Sequence, residues 1–281
     1  MSGGNDLLIR ARSVLLDALK ALDAHREAII VIGAQAVYMH TGGAQIALAE
    51  ATKDSDLAID ARALGQLLEE AMMVAGFRLD RSKPQPGSWL SADGTPVDLM
   101  VPESLAGTGG RRGSRIPPHA NNATRRAAGL EAAAVDHLPM IVRALDPDDT
   151  REYIANVAGP AALLVAKLHK LGERRAMPDR LVDKDAHDVY RLLVAVPTER
   201  LASKASELAN DDFAGLATER ALGFLAEMFA DNPEATGSAM AGRAEEGIGD
   251  PLVVAAAASA LAHDLLVAMG SGSHRDPGMR V

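Results

Sequence analysis

The sequence predicts an α+β protein, in which a mixed sheet with flanking helices comes first along the chain and a helical bundle follows. Three observations predict this fold class. Short β-branched runs separated by turn residues are frequent up to residue 150, helical periodicity dominates after Pro160, and 53 of the 281 residues are alanine whereas only 3% are aromatic. Alanine has the highest helix propensity, so its abundance favours closely packed helices. The expected domains are 1–150 and 151–269, followed by a disordered tail over 270–281.

The first domain is predicted from apolar runs bounded by glycine, proline and charged residues. The run AIIVI at 28–32 is typical of a buried strand, and the leucines over 6–24 recur at the spacing of an amphipathic helix. The predicted elements are helix 6–24, strand 28–32, helix 34–40, strand 55–59, helix 61–75, strands 76–79, 88–90 and 97–101, a long loop or flap over 102–128, and a strand pair within 130–144. The turn Ala92-Asp93-Gly94 predicts that the strands beside it form a hairpin.

The second domain is predicted to be helical throughout. Pro160 suits the first turn of a helix, because its missing N–H is not needed there. Apolar residues at helical spacing then predict helices over 160–175, 179–196, 199–208, 215–229 and 251–269.

Composition and charge exclude several classes of protein. The chain has no cysteine, which excludes disulfide scaffolds, thiolate metal sites and cysteine nucleophiles. A net charge of −9 argues against a surface that coats nucleic acid or an anionic membrane. The N-terminal residues do not resemble a signal peptide, and no uninterrupted apolar run reaches the length that spans a bilayer. We therefore expect a cytoplasmic protein with no membrane partner.

Three carboxylates indicate a metal site. Asp54 and Asp56 are two residues apart at a predicted strand, where side chains i and i+2 project from the same face. Asp98 lies in the apolar strand PVDLMV. Adjacent carboxylates repel one another unless a cation is bound, and oxygen ligands favour Mg²⁺ or Mn²⁺. Two such ions can align the α-phosphate of a nucleotide with an attacking hydroxyl. The turn Gly33-Ala34 opens a helix whose backbone N–H groups are suited to a triphosphate.

The order of these features resembles the nucleotidyltransferase superfamily. The apolar strand, the Gly-Ala turn, the helix, Thr52-Lys53-Asp54-Ser55-Asp56 and a third Asp on a later strand follow its pattern. Within the superfamily the sequence is most similar to the AbiEii/AbiGii-type toxin family, whose helical lobe carries a second signature. That signature resembles AALLVAKLHKL followed by KDAHDVYRLL here, so the likeness covers roughly residues 28–195.

The resemblance implies a Mg²⁺-dependent enzyme that transfers NMP from an NTP to an acceptor hydroxyl. It implies that Lys167 contacts the nucleotide phosphates from the helical lobe, and that Asp185 supports Lys167 or helps to activate the acceptor. It also implies a toxin of a toxin–antitoxin or phage-defence system that modifies tRNA, with an antitoxin protein as partner. Ala34 and Glu50 depart from the family pattern. Transfer to a protein or small-molecule hydroxyl, or a degenerate nucleotide-binding module, therefore remain alternatives.

Two basic segments are candidates for phosphate contacts. Lys167, Lys170 and Arg174 share one helix face, which is either a phosphate-facing stripe or a solvated basic surface. Asp188, the reserve for Asp185, either contributes to the site or pairs with a basic neighbour on the exposed helix surface. The flap over 106–130 has no acidic residue and contains five arginines, namely Arg111, Arg112, Arg115, Arg125 and Arg126. It is either a contact surface for the triphosphate or tRNA, or a mobile basic loop.

Overall fold

The structure, a computed structural model, describes residues 2–42, 52–65, 67–82, 85–108 and 112–272. It confirms the α+β fold class and divides into two units. Of the described residues, unit 1 comprises 2–39 and 52–163, and unit 2 comprises 40–42 and 164–272. The first unit thus continues beyond the boundary expected at residue 150.

Unit 1 is built on one mixed sheet, which contains eight strands in the described part of the chain. The strands are β1 (Ile29–Ile32), β2 (Ser55–Ile59), β3 (Arg78–Leu79), β4 (Ser88–Leu90), β5 (Pro96–Pro102), β6 (Arg125–Ala127), β7 (His137–Arg143) and β8 (Glu152–Ala158). Their order across the sheet is β3-β4-β5-β2-β1-β8-β7. Strand β4 pairs with the first half of β5 and β6 pairs with its second half, so β4 and β6 follow one another along the same edge of β5.

In the described residues before 160, three α-helices accompany the sheet: α1 (Ser2–Ala21), α2 (Gly33–Thr41) and α3 (Leu68–Val74). The buried side of α1 carries Ala11, Leu15 and Leu19, and the helix contacts β2, β5, β7 and β8. The hydroxyl of Ser55 donates to the carbonyl oxygen of Ala11 at 2.9 Å, which fixes α1 on this face of the sheet. Ser55 and Asp56 are successive strand residues and point to opposite faces, so α1 covers the face opposite Asp56.

Three predicted elements of unit 1 differ from the structure. The expected strand pair within 130–144 is wrong, since only β7 lies there and it pairs with β8 instead. The predicted helix over 61–75 is interrupted, and α3 begins only at Leu68 after a short 3₁₀ turn over Ala61–Ala63. Gly65 lies in this break, and glycine weakens a helix interior. The expected loop over 102–128 includes β6.

Unit 2 is helical. Its helices are α4 (Pro160–Gly172), of which the part from residue 164 belongs to unit 2, α5 (Asp183–Ala195), α6 (Thr198–Ala209), α7 (Gly215–Leu225), α8 (Thr236–Arg243) and α9 (Pro251–Gly272). Helix α9 packs against α5, α6 and α8. The sequence does not predict helix α8, because two glycines within its eight residues lower its helix propensity. Residues 270–272 of the tail expected to be disordered over 270–281 belong instead to α9, and the rest of that tail lies outside the described residues.

Helix α9 is also the candidate membrane span in the described ranges. Its segment Pro251–Gly270 has a mean hydropathy of 1.9, and 33% of the apolar window is buried inside the protein. The expectation that no apolar run is long enough to span a bilayer refers to uninterrupted runs. In α9, His263 and Asp264 interrupt the apolar stretch. Core helices of globular domains satisfy the same criterion, so length and composition alone do not assign α9 to a membrane.

Candidate functional site

One row of residues across the sheet of unit 1 brings two of the predicted carboxylates together. Asp56 of β2 pairs with Asp98 of the parallel strand β5, and Asp98 pairs with Ser88 of the antiparallel strand β4. Paired residues of neighbouring strands project from the same face of a sheet. The structure therefore places Asp56 and Asp98 on one face of adjacent strands, with the Ser88 hydroxyl beside them.

Asp54 lies just outside this row. It precedes β2, which begins at Ser55, so the strand pleat does not set the direction of its side chain as predicted. Instead, the hydroxyl of Thr52 donates to Asp54 Oδ1 at 2.8 Å. Thr52 is buried, whereas Asp54 is half-buried at the start of the strand. Asp54 is thus held next to the row by a local hydrogen bond.

The Gly33-Ala34 turn lies directly against the carboxylate of Asp56. Gly33 has a φ of +67°, a left-handed conformation that glycine adopts without strain. A Cβ atom at Gly33 would lie only 2.2 Å from Asp56 Oδ2. The start of α2 and the Asp56 carboxylate are therefore as close as a glycine backbone permits, while Ala34 is buried behind the turn.

Asp98 has a cationic partner that the sequence did not reveal. Arg125, at the start of β6, pairs in register with Met100, two residues beyond Asp98 on the same face of β5. Its Nη2 donates to Asp98 Oδ2 at 2.9 Å and to Met100 Sδ at 3.0 Å. The predicted flap thus supplies a counter-ion to the carboxylate row.

The rest of the predicted flap is attached to unit 1 rather than a separate loop. Trp89 Nε1 donates to the carbonyl oxygen of Ala123 at 2.9 Å. Glu69 of α3 accepts from the backbone N–H of Ala120 at 2.8 Å and contacts His119 Nδ1 at 2.9 Å. Of its other arginines, Arg112 and Arg115 are exposed and Arg126 is half-buried. Arg111, like Glu50, lies outside the described residues.

No protein-family model matches this chain. No curated protein and no solved structure matches it either.

The donor set of the row fits a divalent cation. Among the residues that the structure describes, no group of three acidic or histidine side chains is arranged to hold a metal ion. Asp56 and Asp98 nevertheless present carboxylate oxygens beside Ser88, whose Oγ is buried and has no hydrogen-bond partner. A buried hydroxyl without a partner is costly, and a bound ion or its water would satisfy it. Such oxygen ligands are those that Mg²⁺ and Mn²⁺ prefer.

The predicted pair Lys167 and Asp185 lies in unit 2, within a buried cluster of charges. Lys167 Nζ donates to Asp185 Oδ1 at 3.1 Å and to Asp188 Oδ2 at 2.6 Å, and these three side chains are 7%, 5% and 1% exposed. Lys170 Nζ also lies 2.8 Å from Asp185 Oδ1, and Arg174 Nη1 lies 3.6 Å from Asp185 Oδ2. The structure therefore places Asp185 in direct contact with Lys167.

The cluster corrects one expectation from the sequence. The alternative that Asp188 belongs to an exposed helix ion pair is wrong, because Asp188 is buried and contacts Lys167. All three cations of the basic stripe face Asp185, and of these Lys170 is exposed. Sequence spacing placed these residues on single helices and gave no signal for the pairing of α4 with α5.

Burial and pairing shift the pKa values in this cluster in opposite directions. Burial by itself would lower the pKa of Lys167, but the carboxylates of Asp188 and Asp185 outweigh it and hold this pKa above its usual value. Burial would likewise raise the pKa of Asp185, but Lys167 and Lys170 outweigh it and hold this pKa well below its usual range. Both shifts favour the charged forms, so Lys167 and Asp185 remain ionised at neutral pH.

We predict that acid weakens unit 2 through Asp185. Because the folded pKa of Asp185 lies below its unfolded value of about 3.9, its contribution is complete above about pH 5 and is lost as the pH falls toward the folded value. The raised pKa of Lys167 has the opposite sign, so its contribution is lost only at strongly alkaline pH.

We expect urea unfolding to reveal this contribution of Asp185. The free energies of unfolding of the wild type and of Asp185→Asn are compared at pH 7, 5, 4 and 3. The difference in their free energies of unfolding should be constant from pH 7 to 5 and narrow below pH 4, because Asn does not titrate. A difference that stays the same down to pH 3 would contradict the assignment.

Proposed function

We propose that this protein is a Mg²⁺-dependent nucleotidyltransferase, which moves NMP from an NTP to an acceptor hydroxyl. The observation that carries the proposal is the row formed by Asp56, Asp98 and Ser88, which lies against the glycine turn at the start of α2. Two parallel strands present carboxylates on one face, and a helix N-terminus suited to phosphate lies next to them. The order of these elements along the chain is that of the nucleotidyltransferase pattern.

In the reaction, the acceptor hydroxyl oxygen bonds to the α-phosphorus as the bond from that phosphorus to the β-phosphate bridging oxygen breaks. Pyrophosphate leaves, and the hydroxyl proton passes to a carboxylate of the row or to water. Asp56 and Asp98 would hold the cation, with Asp54 as a third carboxylate just before β2. When bound, the cation would neutralise the phosphates and stabilise the leaving pyrophosphate.

The residues of this chain have separate tasks around that step. The backbone at Gly33 shapes the turn so that N–H groups at the start of α2 are available to phosphate oxygens. The backbone of Asp98 is held by β-ladders on both sides and its carboxylate accepts a hydrogen bond from Arg125, while Thr52 orients Asp54. These contacts hold the acidic groups in place before a substrate arrives, which reduces the cost of reorganisation.

The likeness to AbiEii/AbiGii-type toxins supports a narrower proposal. In that family the reaction serves a toxin–antitoxin or phage-defence system, so we propose tRNA as the acceptor and an antitoxin as a partner protein. The exposed Arg112 and Arg115 of the flap suit an RNA backbone. The family role of Lys167 as a phosphate contact is a further prediction, and the contacts of Lys167 within unit 2 are those to Asp185 and Asp188.

We predict that the protein transfers label from an α-labelled NTP to RNA, and that Asp56→Asn reduces the rate by more than about 100-fold. Loss of groups that only support a metal ligand already costs about 10–100-fold, so loss of a ligand charge should cost more. The assay contains each of the four NTPs in turn, Mg²⁺ and total RNA. Asp60→Asn is the matched control, because Asp60 follows the same strand but caps a turn through Arg62. It should retain wild-type activity.

The products distinguish the alternatives. Label on RNA that resolves to tRNA would support the complete proposal, whereas label on protein or on a small molecule would keep the chemistry and replace the acceptor. Mg²⁺-dependent NTP binding without any transfer would favour the degenerate nucleotide-binding module. Equal activity of Asp56→Asn and the wild type would remove the carboxylate row from the mechanism.

A further inference from the structure

We propose that Arg125 is an exchangeable counter-ion of the carboxylate row: a divalent cation takes its place on Asp98, and the released guanidinium binds a phosphate oxygen of the nucleotide. The inference rests on the proposed function and adds a residue that couples cation binding to nucleotide binding. Arg125 is thereby assigned a part in substrate binding, in contrast to a purely structural ion pair.

The backbone of Arg125 is fixed on both sides, and its side chain is partly exposed. The residue pairs with Met100 in the ladder between β5 and β6, and it also bridges Gly113 on its other side. The side chain of Arg125 is 23% exposed and that of Asp98 is 17% exposed. A guanidinium at the edge of a site can therefore exchange partners without any movement of the strand that carries it.

The hydrogen bonds of Arg125 are incomplete in this state. Its Nη2 donates to Asp98 and to the sulfur of Met100, which is a weak acceptor. Its Nε is buried and has no partner. A guanidinium has five donors in a planar fork that matches the oxygens of a phosphate. An anion beside Arg125 would thus satisfy a donor that the protein itself leaves unpaired.

Arg125 and a divalent cation compete for Asp98, because each neutralises its carboxylate and the two positive charges repel each other. Without a cation, Arg125 offsets one of two carboxylates that share a face and would otherwise repel each other. A divalent cation on Asp56 and Asp98 supplies this charge more strongly and repels the guanidinium. The guanidinium then needs an anionic partner, and the triphosphate that accompanies the cation is one. The buried, unpaired hydroxyl of Ser88 next to Asp98 indicates where an oxygen ligand of the ion would fit.

Arg126 provides a matched control in the same strand. Its side chain points to the opposite face of β6, and its Nη2 donates to the carbonyl oxygen of Gly107 rather than to a carboxylate. Its Nε is also buried without a partner. The two arginines therefore share a strand and a degree of burial but differ in contact with Asp98.

The test measures two affinities with opposite expected changes. Mn²⁺ binding without nucleotide is followed by electron paramagnetic resonance, and binding of NTP analogues with an α,β-methylene bridge is followed by calorimetry at saturating Mn²⁺. Arg125→Gln should bind Mn²⁺ about three- to tenfold more tightly, because a competing cation is gone. It should bind the analogue about ten- to a hundredfold more weakly, because a charge-assisted hydrogen bond is lost. Arg126→Gln should change neither affinity.

Arg125→Lys is the second variant, because it keeps the charge and removes the fork. It should retain the wild-type Mn²⁺ affinity and lose part of the analogue affinity, with thermal unfolding used to confirm that both variants fold. If Arg125→Gln weakens both affinities or leaves both unchanged while the wild type binds Mn²⁺ and analogue, Arg125 is only a structural ion pair and the inference is wrong. If the wild type binds neither ligand, the proposed function fails as well, and the two failures are thereby distinguished.

Discussion

Replacing Lys167 with methionine is expected to lower the free energy of unfolding of unit 2 by about 3–5 kcal/mol. The Nζ of Lys167 lies between the buried carboxylates of Asp185 and Asp188. Methionine fills a similar volume, so the loss arises from charge rather than from a cavity. Asp185 keeps Lys170 and Arg174 nearby, but Asp188 is 1% exposed and loses the ammonium that neutralises it.

The double variant Lys167→Met/Asp188→Leu should recover most of that loss. Breaking a buried ion pair by removing one partner leaves an uncompensated charge, whereas replacing both partners with apolar side chains is often nearly neutral. The coupling between the two sites is obtained from a double-mutant cycle. A double variant as unstable as Lys167→Met alone would show that the cost comes from packing and not from the charge on Asp188.

The readout must report on unit 2, because the single tryptophan of the chain, Trp89, is buried in unit 1. Hydrogen exchange of amides in α5 provides it, since α5 carries both aspartates. Lys204→Met is the matched control, because Lys204 pairs with Glu207 on the surface of α6 and both are about half exposed. An exposed pair of this kind contributes about 0–1 kcal/mol. A similar loss in both variants would show that the Lys167 cluster contributes no more to the free energy of unfolding than an exposed ion pair does.

Local patterns in the sequence were sufficient for the part of the fold that carries the candidate site. The strand over 55–59, the helix after Gly33 and the hairpin around Gly94 agree with the structure, because each is defined by apolar runs and by glycine at a turn. The sequence singled out Asp56 and Asp98 because each is a carboxylate in an apolar strand, whereas their pairing is shown by the structure. A charge in such a strand must have a specific partner, and this makes it conspicuous in a sequence.

The misses share a physical cause, which is that they depend on contacts between distant segments. Strand β8 has the mixed sequence EYIANVA and gains its conformation by pairing with β1 and β7. The contact between Arg125 and Asp98 joins residues 27 positions apart, and the contact between Lys167 and Asp188 joins residues 21 positions apart. Neither separation matches a helical or strand period, so no local pattern indicates these pairs.

Because Gly33 lies so close to Asp56, Gly33→Ala should lower the free energy of unfolding of unit 1 by about 2–5 kcal/mol. A left-handed conformation costs an L residue about 1–2 kcal/mol. The added methyl group would also lie 2.2 Å from Asp56 Oδ2 and 2.8 Å from Asp56 Cβ, and crowding of this kind costs about 1–3 kcal/mol. Because the carboxylate must move to relieve the contact, the affinity for Mn²⁺ should fall together with the stability.

Gly94→Ala separates the two contributions, because Gly94 also has a positive φ, +84°, but a Cβ atom there would have no atom within 4 Å. It should cost only the backbone part, about 1–2 kcal/mol, and leave Mn²⁺ binding unchanged. Unfolding in urea, followed by Trp89 fluorescence, measures both variants in the unit that contains them. In an Asp56→Ala background the extra cost of Gly33→Ala should shrink, since the carboxylate is gone and only the Cβ contact remains. If Gly33→Ala and Gly94→Ala lower the free energy of unfolding equally in the wild-type background, the turn is not in tight contact with Asp56. The proposed phosphate-binding turn would then not lie directly against the metal-binding carboxylate.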